Sequence, residues 1–315
     1  MRSLKSTAAA LAAAAAMVLG TGIGTAAASP AHDAVSPQVA TCSSAAVSGQ
    51  TVRGAMSPSQ VHRQLAPLDA QRRAAYGLPG KGPLTSGVAG DAVRPLVNIH
   101  PAQGTAFKSL SGADGSCATQ SVTTALSVND GYTTIYTPTM YPPGGSCVEL
   151  VTVYTQSVHA VSAWDWCGSV NFAASVSINS SFLSTYTNGT GAYTGRVIRT
   201  SASSNTWAAA LYNYTTGHWD TLFSQSGTNQ SGRTDGWDIE ELYSTVGSNG
   251  QAYSCGDMAG LTFESSNISV RNNGIWSSAT SANADTHYDQ PNSAFYCPTR
   301  SYQMISAYSH WKAVG

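Results

Sequence analysis

Charge is what this sequence has least of. Only 10 % of its 315 residues are Asp, Glu, Lys or Arg, against about 25 % in an average globular domain. A surface so poor in charge must be covered by uncharged polar groups, and Ser, Thr, Asn and Gly are abundant. That composition fits exported β proteins and is unlike a cytosolic enzyme. Long apolar runs are also missing: past the N-terminus nothing approaches the roughly 20 residues that a membrane helix needs. Motifs of several familiar chemistries do not occur. There is no Gly-x-Ser-x-Gly elbow, no His-Glu-x-x-His or His-x-x-x-His pair and no Cys-x-x-Cys. A serine hydrolase of the elbow type is therefore disfavoured, and no metal or cofactor is expected.

Basic residues are scarce where most of the chain lies. Residues 106–315 hold 7 Lys and Arg against 13 Asp and Glu, a net of −6, whereas residues 1–105 hold 8 against 3, a net of +5. An acidic body has no electrostatic footprint for nucleic acid. The chain opens with Arg2 and Lys5, an Ala-rich run reaching Val18 and Leu19, and small residues through Ala28. Positive start, short apolar stretch and small-residue exit make residues 1–28 a signal peptide, so a secreted, extracellular monomer free of the membrane is expected. In that compartment the six cysteines, Cys42, Cys117, Cys147, Cys167, Cys255 and Cys297, read as a disulfide framework with 15 possible connectivities.

Residues 29–105 differ from the rest of the chain and read as a pro-region or leader, the alternative being a disordered linker. They lack Trp, and Ser57 to Tyr76 combines a Ser cap, helix formers and Leu65, Leu68 and Ala75 at near-helical spacing. Pro67 is expected to break or kink that helix. From about Ala106 the pattern is strand after strand, for example Val148–Tyr154, Thr206–Tyr212, Trp237–Tyr243, and Leu261–Phe263 with Ile268–Val270. Turn signals such as Asn188-Gly189 and Asn273-Gly274 separate them. Many short strands so spaced predict an all-β sandwich over 106–315.

Two strands carry the chemistry. In Trp237-Asp238-Ile239-Glu240-Glu241-Leu242-Tyr243, alternation puts Trp237, Ile239, Glu241 and Tyr243 on one face and Asp238, Glu240 and Leu242 on the other. In Cys147 to Tyr154, Glu149 is the lone charge of an apolar strand. Burial raises a carboxyl pKa and a second carboxyl nearby raises one of the pair further, so such a couple can share a proton in mild acid.

In order along the chain, Ala163-Trp164-Asp165-Trp166, Asn213-Tyr214-Thr215-Thr216-Gly217, Trp237-Asp238-Ile239-Glu240 and Ala259-Gly260-Leu261-Thr262-Phe263 resemble segments of the glutamic peptidases (eqolisins), and more distantly of neprosin-type prolyl peptidases. The resemblance spans roughly residues 147–270. It implies a lectin-like, concanavalin-type antiparallel β-sandwich and an acid-active endopeptidase made as a zymogen. Its Trp-x-x-Glu strand marks Glu240 as the general base. The family pairs that Glu with a Gln on an earlier strand, where Glu149 stands here, with Gln156 as the other choice; a Glu/Glu couple is the neprosin-type arrangement. Trp164, Trp166 and Asp238 would line the substrate site. The family's early Asn-Trp-x-Gly strand has no counterpart, since no Trp precedes Trp164. On this reading the basic leader covers the acidic cleft until self-cleavage between Gly77 and Thr105 at low pH. The other reading is a non-catalytic lectin-like or carbohydrate-binding sandwich with a polysaccharide, rather than a polypeptide, held by exposed Trp and Tyr.

Overall fold

Runs of β-branched and aromatic residues separated by Gly, Asn and Pro turns favour extended backbone, and strands dominate the computed structural model. It describes residues 42–43, 47–77, 97–285 and 290–315. The expected signal peptide, and residues 29–41, 44–46 and 78–96 of the expected leader, lie outside these. In chain order the strands are β1 (Val47–Thr51), β2 (Val97–Ile99), β3 (Ala102–Phe107), β4 (Ala113–Ser121), β5 (Thr134–Tyr141) and β6 (Val148–Tyr154). Next come β7 (His159–Asp165), β8 (Phe172–Ser177), β9 (Ala192–Ser201), β10 (Thr206–Asn213), β11 (His218–Gln225) and β12 (Gly236–Val246). The last are β13 (Thr262–Asn272), β14 (Ile275–Ser278), β15 (Ala284–Asp285), β16 (Ser301–Ser306) and β17 (His310–Val314). Helices α1 (Pro58–Ala75), α2 (Ser180–Tyr186) and α3 (Tyr253–Met258) interrupt them.

The strands form two sheets. One runs β1-β11-β10-β9-β4-β13-β17-β16 with β14 beside β13, the other β15-β3-β12-β5-β6-β7-β8 with β2 beside β12. Neighbours are antiparallel except β1, which joins the edge strand β11 in parallel. Between the sheets lies a core that includes Leu150, Tyr193, Trp207, Phe263 and Trp311. The architecture is thus the all-β sandwich that the sequence predicts.

A second apolar cluster sits on the opposite face of the eight-stranded sheet, where Val61 and Leu65 of α1 meet Tyr136, Trp164, Trp166, Phe172 and Trp237. That sheet is therefore covered on both sides, and β5, β6 and β12 are buried at every position. This explains why β6 reads as a continuous apolar run rather than an alternating one.

Helix α1 begins where the sequence signals it. Ser57 accepts a hydrogen bond from the Gln60 amide, the Gln60 side-chain oxygen in turn accepts one from the Ser57 amide, and Pro58 supplies the first helical residue. The expected break at Pro67 does not occur. Pro67 is on the exposed side, and the carbonyl it leaves without an amide partner belongs to exposed Arg63, within reach of water. The boundary drawn after Thr105 falls inside β3, which pairs with β12 from Phe107 to Ala102. The two segments expected around Leu261 and Ile268 are one strand, β13, whose register shifts between Ser266 and Ser269 to admit Asn267 at φ 53°.

Candidate active site

Each acidic residue of β12 faces the side that strand alternation dictates. Asp238 and Glu240 point toward the nine-stranded sheet. Asp238 accepts hydrogen bonds from the Gln120 amide (2.9 Å) and the Trp311 indole (2.9 Å). Burial pushes its carboxyl up to about 7, against the pull of these donors and Ser265. Glu240 takes a 2.9 Å ion pair from Arg300, whose guanidinium also donates to Gln103 and stacks 3.6 Å over Phe295. Glu240 and Glu149 therefore lie on opposite faces of one sheet, and the expected Glu149/Glu240 couple does not form. Gln156 is exposed, in the turn after β6, and joins neither glutamate. Asp238 shares the Glu240 side and takes no part in a site with Glu149.

The acid that does share a face with Glu149 is Glu241, and both are fully buried. Nη2 of Arg72, from α1, lies 2.8 Å from Oε1 of Glu149 and 3.7 Å from Oε2 of Glu241. Those two oxygens are thus no farther apart than the two distances together. Arg72 itself is fully buried, with its guanidinium carbon 4.8 Å from the Tyr136 ring centre and 5.2 Å from that of Trp164. Among the described residues its Nε and Nη1 meet no acceptor, and the guanidinium lies against these rings in a cation–π arrangement.

Donors crowd Glu149. Besides Arg72, it accepts from the Trp237 indole (3.0 Å), the Trp166 indole (3.1 Å) and the Thr139 hydroxyl (2.5 Å). Glu241 accepts from the Tyr243 hydroxyl (2.8 Å) and has Nε2 of His100 at 2.6 Å, the imidazole being stacked 4.0 Å from the Tyr243 ring. Tyr76, capping the C-terminal end of α1, closes the site. Its ring stacks on Trp237 (5.8 Å) and meets Trp166 edge-on (5.1 Å), with the hydroxyl 3.4 Å from both Glu241 oxygens.

The surroundings push the two acids apart. Burial, the largest influence, and the neighbouring Glu241 raise Glu149 above the ordinary glutamate value, although Arg72, Thr139 and Trp237 pull it down. For Glu241 burial is outweighed by Arg72, His100 and Tyr243, which hold it at about 2. Burial alone would lower Arg72, but the two glutamates drive it well above its usual value. One permanent cation thus faces two buried carboxyl groups that their surroundings shift in opposite directions.

Trp164 and Trp166 do come together with Glu149, Trp166 through a direct hydrogen bond and Trp164 through the face it turns to Arg72. The six cysteines form Cys42–Cys117, Cys147–Cys167 and Cys255–Cys297. Six of the seven tryptophans are fully buried and Trp276 is half-buried, so no exposed Trp platform for sugar rings occurs among the described residues. Arg72, Glu241, His100, Thr139 and Tyr76 escape the sequence reading. Glu241 was within reach, since alternation alone sets it beside Trp237 and away from Glu240. Arg72 also has a signal. Val61, Leu65 and Leu68 make an apolar stripe, and an arginine at the next position of that stripe demands a buried acid.

Among solved structures, the chain is similar to scytalido-glutamic peptidase with a peptide-based transition state analog, at 18 % identity and a TM-score of 0.42 over 70 % of this chain and 99 % of that one. A second structure of scytalido-glutamic peptidase, with a transition state analog inhibitor, aligns at 15 % identity and a TM-score of 0.40 over 69 % and 98 %. A likeness of that size assigns no role to any residue. No family model matches the chain, and no curated protein matches it.

Proposed function

We propose that this chain is the latent form of a secreted, acid-active endopeptidase of glutamic-peptidase type on a lectin-like sandwich, with Glu149 and Glu241 as its working couple. The observation that carries this reading is two buried carboxyl groups from separate strands, held against one guanidinium that belongs to the leader helix. With α1 away, Glu241, steadied by His100 and Tyr243, takes a proton from the attacking water. Glu149, kept in place by Trp166, Trp237 and Thr139, holds the proton that it donates to the carbonyl oxygen as that oxygen gains charge. Collapse of the tetrahedral adduct breaks the C–N bond: the proton held by Glu241 passes to the leaving amine, and the hydroxyl formed from the carbonyl oxygen returns its proton to Glu149 as the C=O bond reforms. General-base action of this kind supplies about 10²–10⁴ in rate, and an oxyanion donor about 10²–10³. Export is supported by the N-terminal signal pattern and by three disulfides, and a polypeptide is the substrate this chemistry suits.

The test is digestion of a denatured protein at about pH 3–5, where a glutamate pair titrates, after α1 has been detached by an engineered cut. Glu149→Gln and Glu241→Gln should each lose at least about a hundredfold in rate. Glu240→Gln unpairs buried Arg300 and should lose stability, but its rate per folded molecule should stay close to wild type. Loss on Glu240→Gln alone, with Glu241→Gln fully active, would refute the assignment.

A further inference from the structure

The leader has two parts that are held in different ways. Residues 42–43 and 47–56 are built into the body. Cys42 is bonded to Cys117 of β4 and buried beside Ala210 and Trp219. Strand β1 extends the edge of the nine-stranded sheet, with the Ser48 hydroxyl donating to Asp220 at 2.6 Å. The Val52 amide then donates to Thr221, the Arg53 amide to the Tyr186 hydroxyl, and the Met56 amide to Ser175 of β8. Only after this anchor, at Ser57, does α1 start across the second sheet. Helix α1 is held differently, by a short apolar stripe, by Arg72 on the acids, and by Arg73 donating to the Val170 carbonyl at 2.8 Å. Within the anchor, exposed Gly54 at φ 78° turns the chain from β11 toward β8, and the arm pivots beyond it, at Ser57.

Resting on the reading of Glu149 and Glu241 as a latent catalytic pair, we infer that the leader is a tethered inhibitor which cleavage after Gly77 does not release. The cut protein is two chains joined by Cys42–Cys117, and α1 docks and undocks as an intramolecular arm. A tether this short gives the arm an effective concentration on the order of millimolar. Its occupancy of the acid pair is then independent of protein concentration, and inhibition is reversible rather than discarded with the leader.

The experiment places a recognition sequence for a site-specific protease between Gly77 and Val97 of the full chain. After cutting, docking is followed by the emission of the tryptophans beneath α1, which Arg72 and Tyr76 touch. In the cut wild type the docked fraction should change less than about twofold over a thousandfold dilution. In a cut Cys42→Ser/Cys117→Ser variant it should fall on dilution. A second form keeps all the cysteines and carries a further protease site at Gly54. Cutting both sites frees α1 as a separate peptide, and docking should again become concentration-dependent. Cut wild type that is undocked at every concentration, or a doubly cut form as resistant to dilution as the singly cut one, would overturn the inference. Emission reports docking whether or not a peptide bond is cleaved, so a protein that behaves this way yet digests nothing counts against the peptidase reading and not against the tether.

Discussion

Arg72 is the residue on which the buried face depends. It is a cation with no access to water, and it serves two carboxyl groups at once. Removing one partner of a buried ion pair costs about 3–5 kcal/mol, so Arg72→Met should lose about that much stability at neutral pH. The sign of the pH effect comes from the two acids. Glu241 is lowered from 4.5 to about 2, so its contribution to stability is complete above about 4.5 and is lost as pH falls toward 2. Glu149 and Asp69 run the other way. Both are raised chiefly by burial, Asp69 to about 6, and both favour the folded state when protonated. Without Arg72, Glu241 joins them, and acid then relieves the buried pair instead of stripping it of its partner. Urea denaturation at pH 7 and pH 3 should therefore show the Arg72→Met penalty shrinking in acid; a penalty equal at both values would contradict this account. The slip at Glu240 is instructive on the same scale. A four-residue motif names a position, while strand parity names a face, and in β12 the two disagree by one residue.

At the scale of elements, α1 is the piece whose stability is most easily adjusted. Its capping box is intact at Ser57 and Gln60, and Ser57 is exposed. Ser57→Ala should cost about 1 kcal/mol and should raise hydrogen exchange in α1 while leaving β6 and β12 unchanged; equal loosening of the strands would mean that helix and sheet open together. Strands such as β6, β10 and β12 were legible because β-branched and aromatic runs end at clear turn residues. Less legible were β3 and β4, whose sequences AQGTAF and ADGSCATQS are small and polar. They are strands because β12 and β15 flank β3 and β9 and β13 flank β4, a tertiary cause that no local pattern records. The parallel addition of β1 is hidden for the same reason.

For the whole molecule, the opposed charges of leader and body have a narrower meaning than their totals imply. Arg53 and Arg63 are exposed, and the charged contact through which α1 reaches the acids is one buried guanidinium, Arg72, rather than a basic surface lying over an acidic one. A single such contact is specific and sensitive to geometry, whereas a broad attraction would fade with salt. The central claim is that Glu149 and Glu241 form one proton-sharing couple which α1 masks with Arg72. The most direct measurement is a titration of both side-chain carboxyls by carbon-13 NMR, on the intact chain and again after α1 has been detached. With α1 in place Glu241 should titrate near 2 and Glu149 above the ordinary glutamate value. With α1 gone Glu241, freed of Arg72, should move upward, Glu149, freed of the burial that raises it, should move downward, and Glu241→Gln should shift the Glu149 titration. Carboxyls that titrate independently, and at the same pH before and after the helix leaves, would contradict the account.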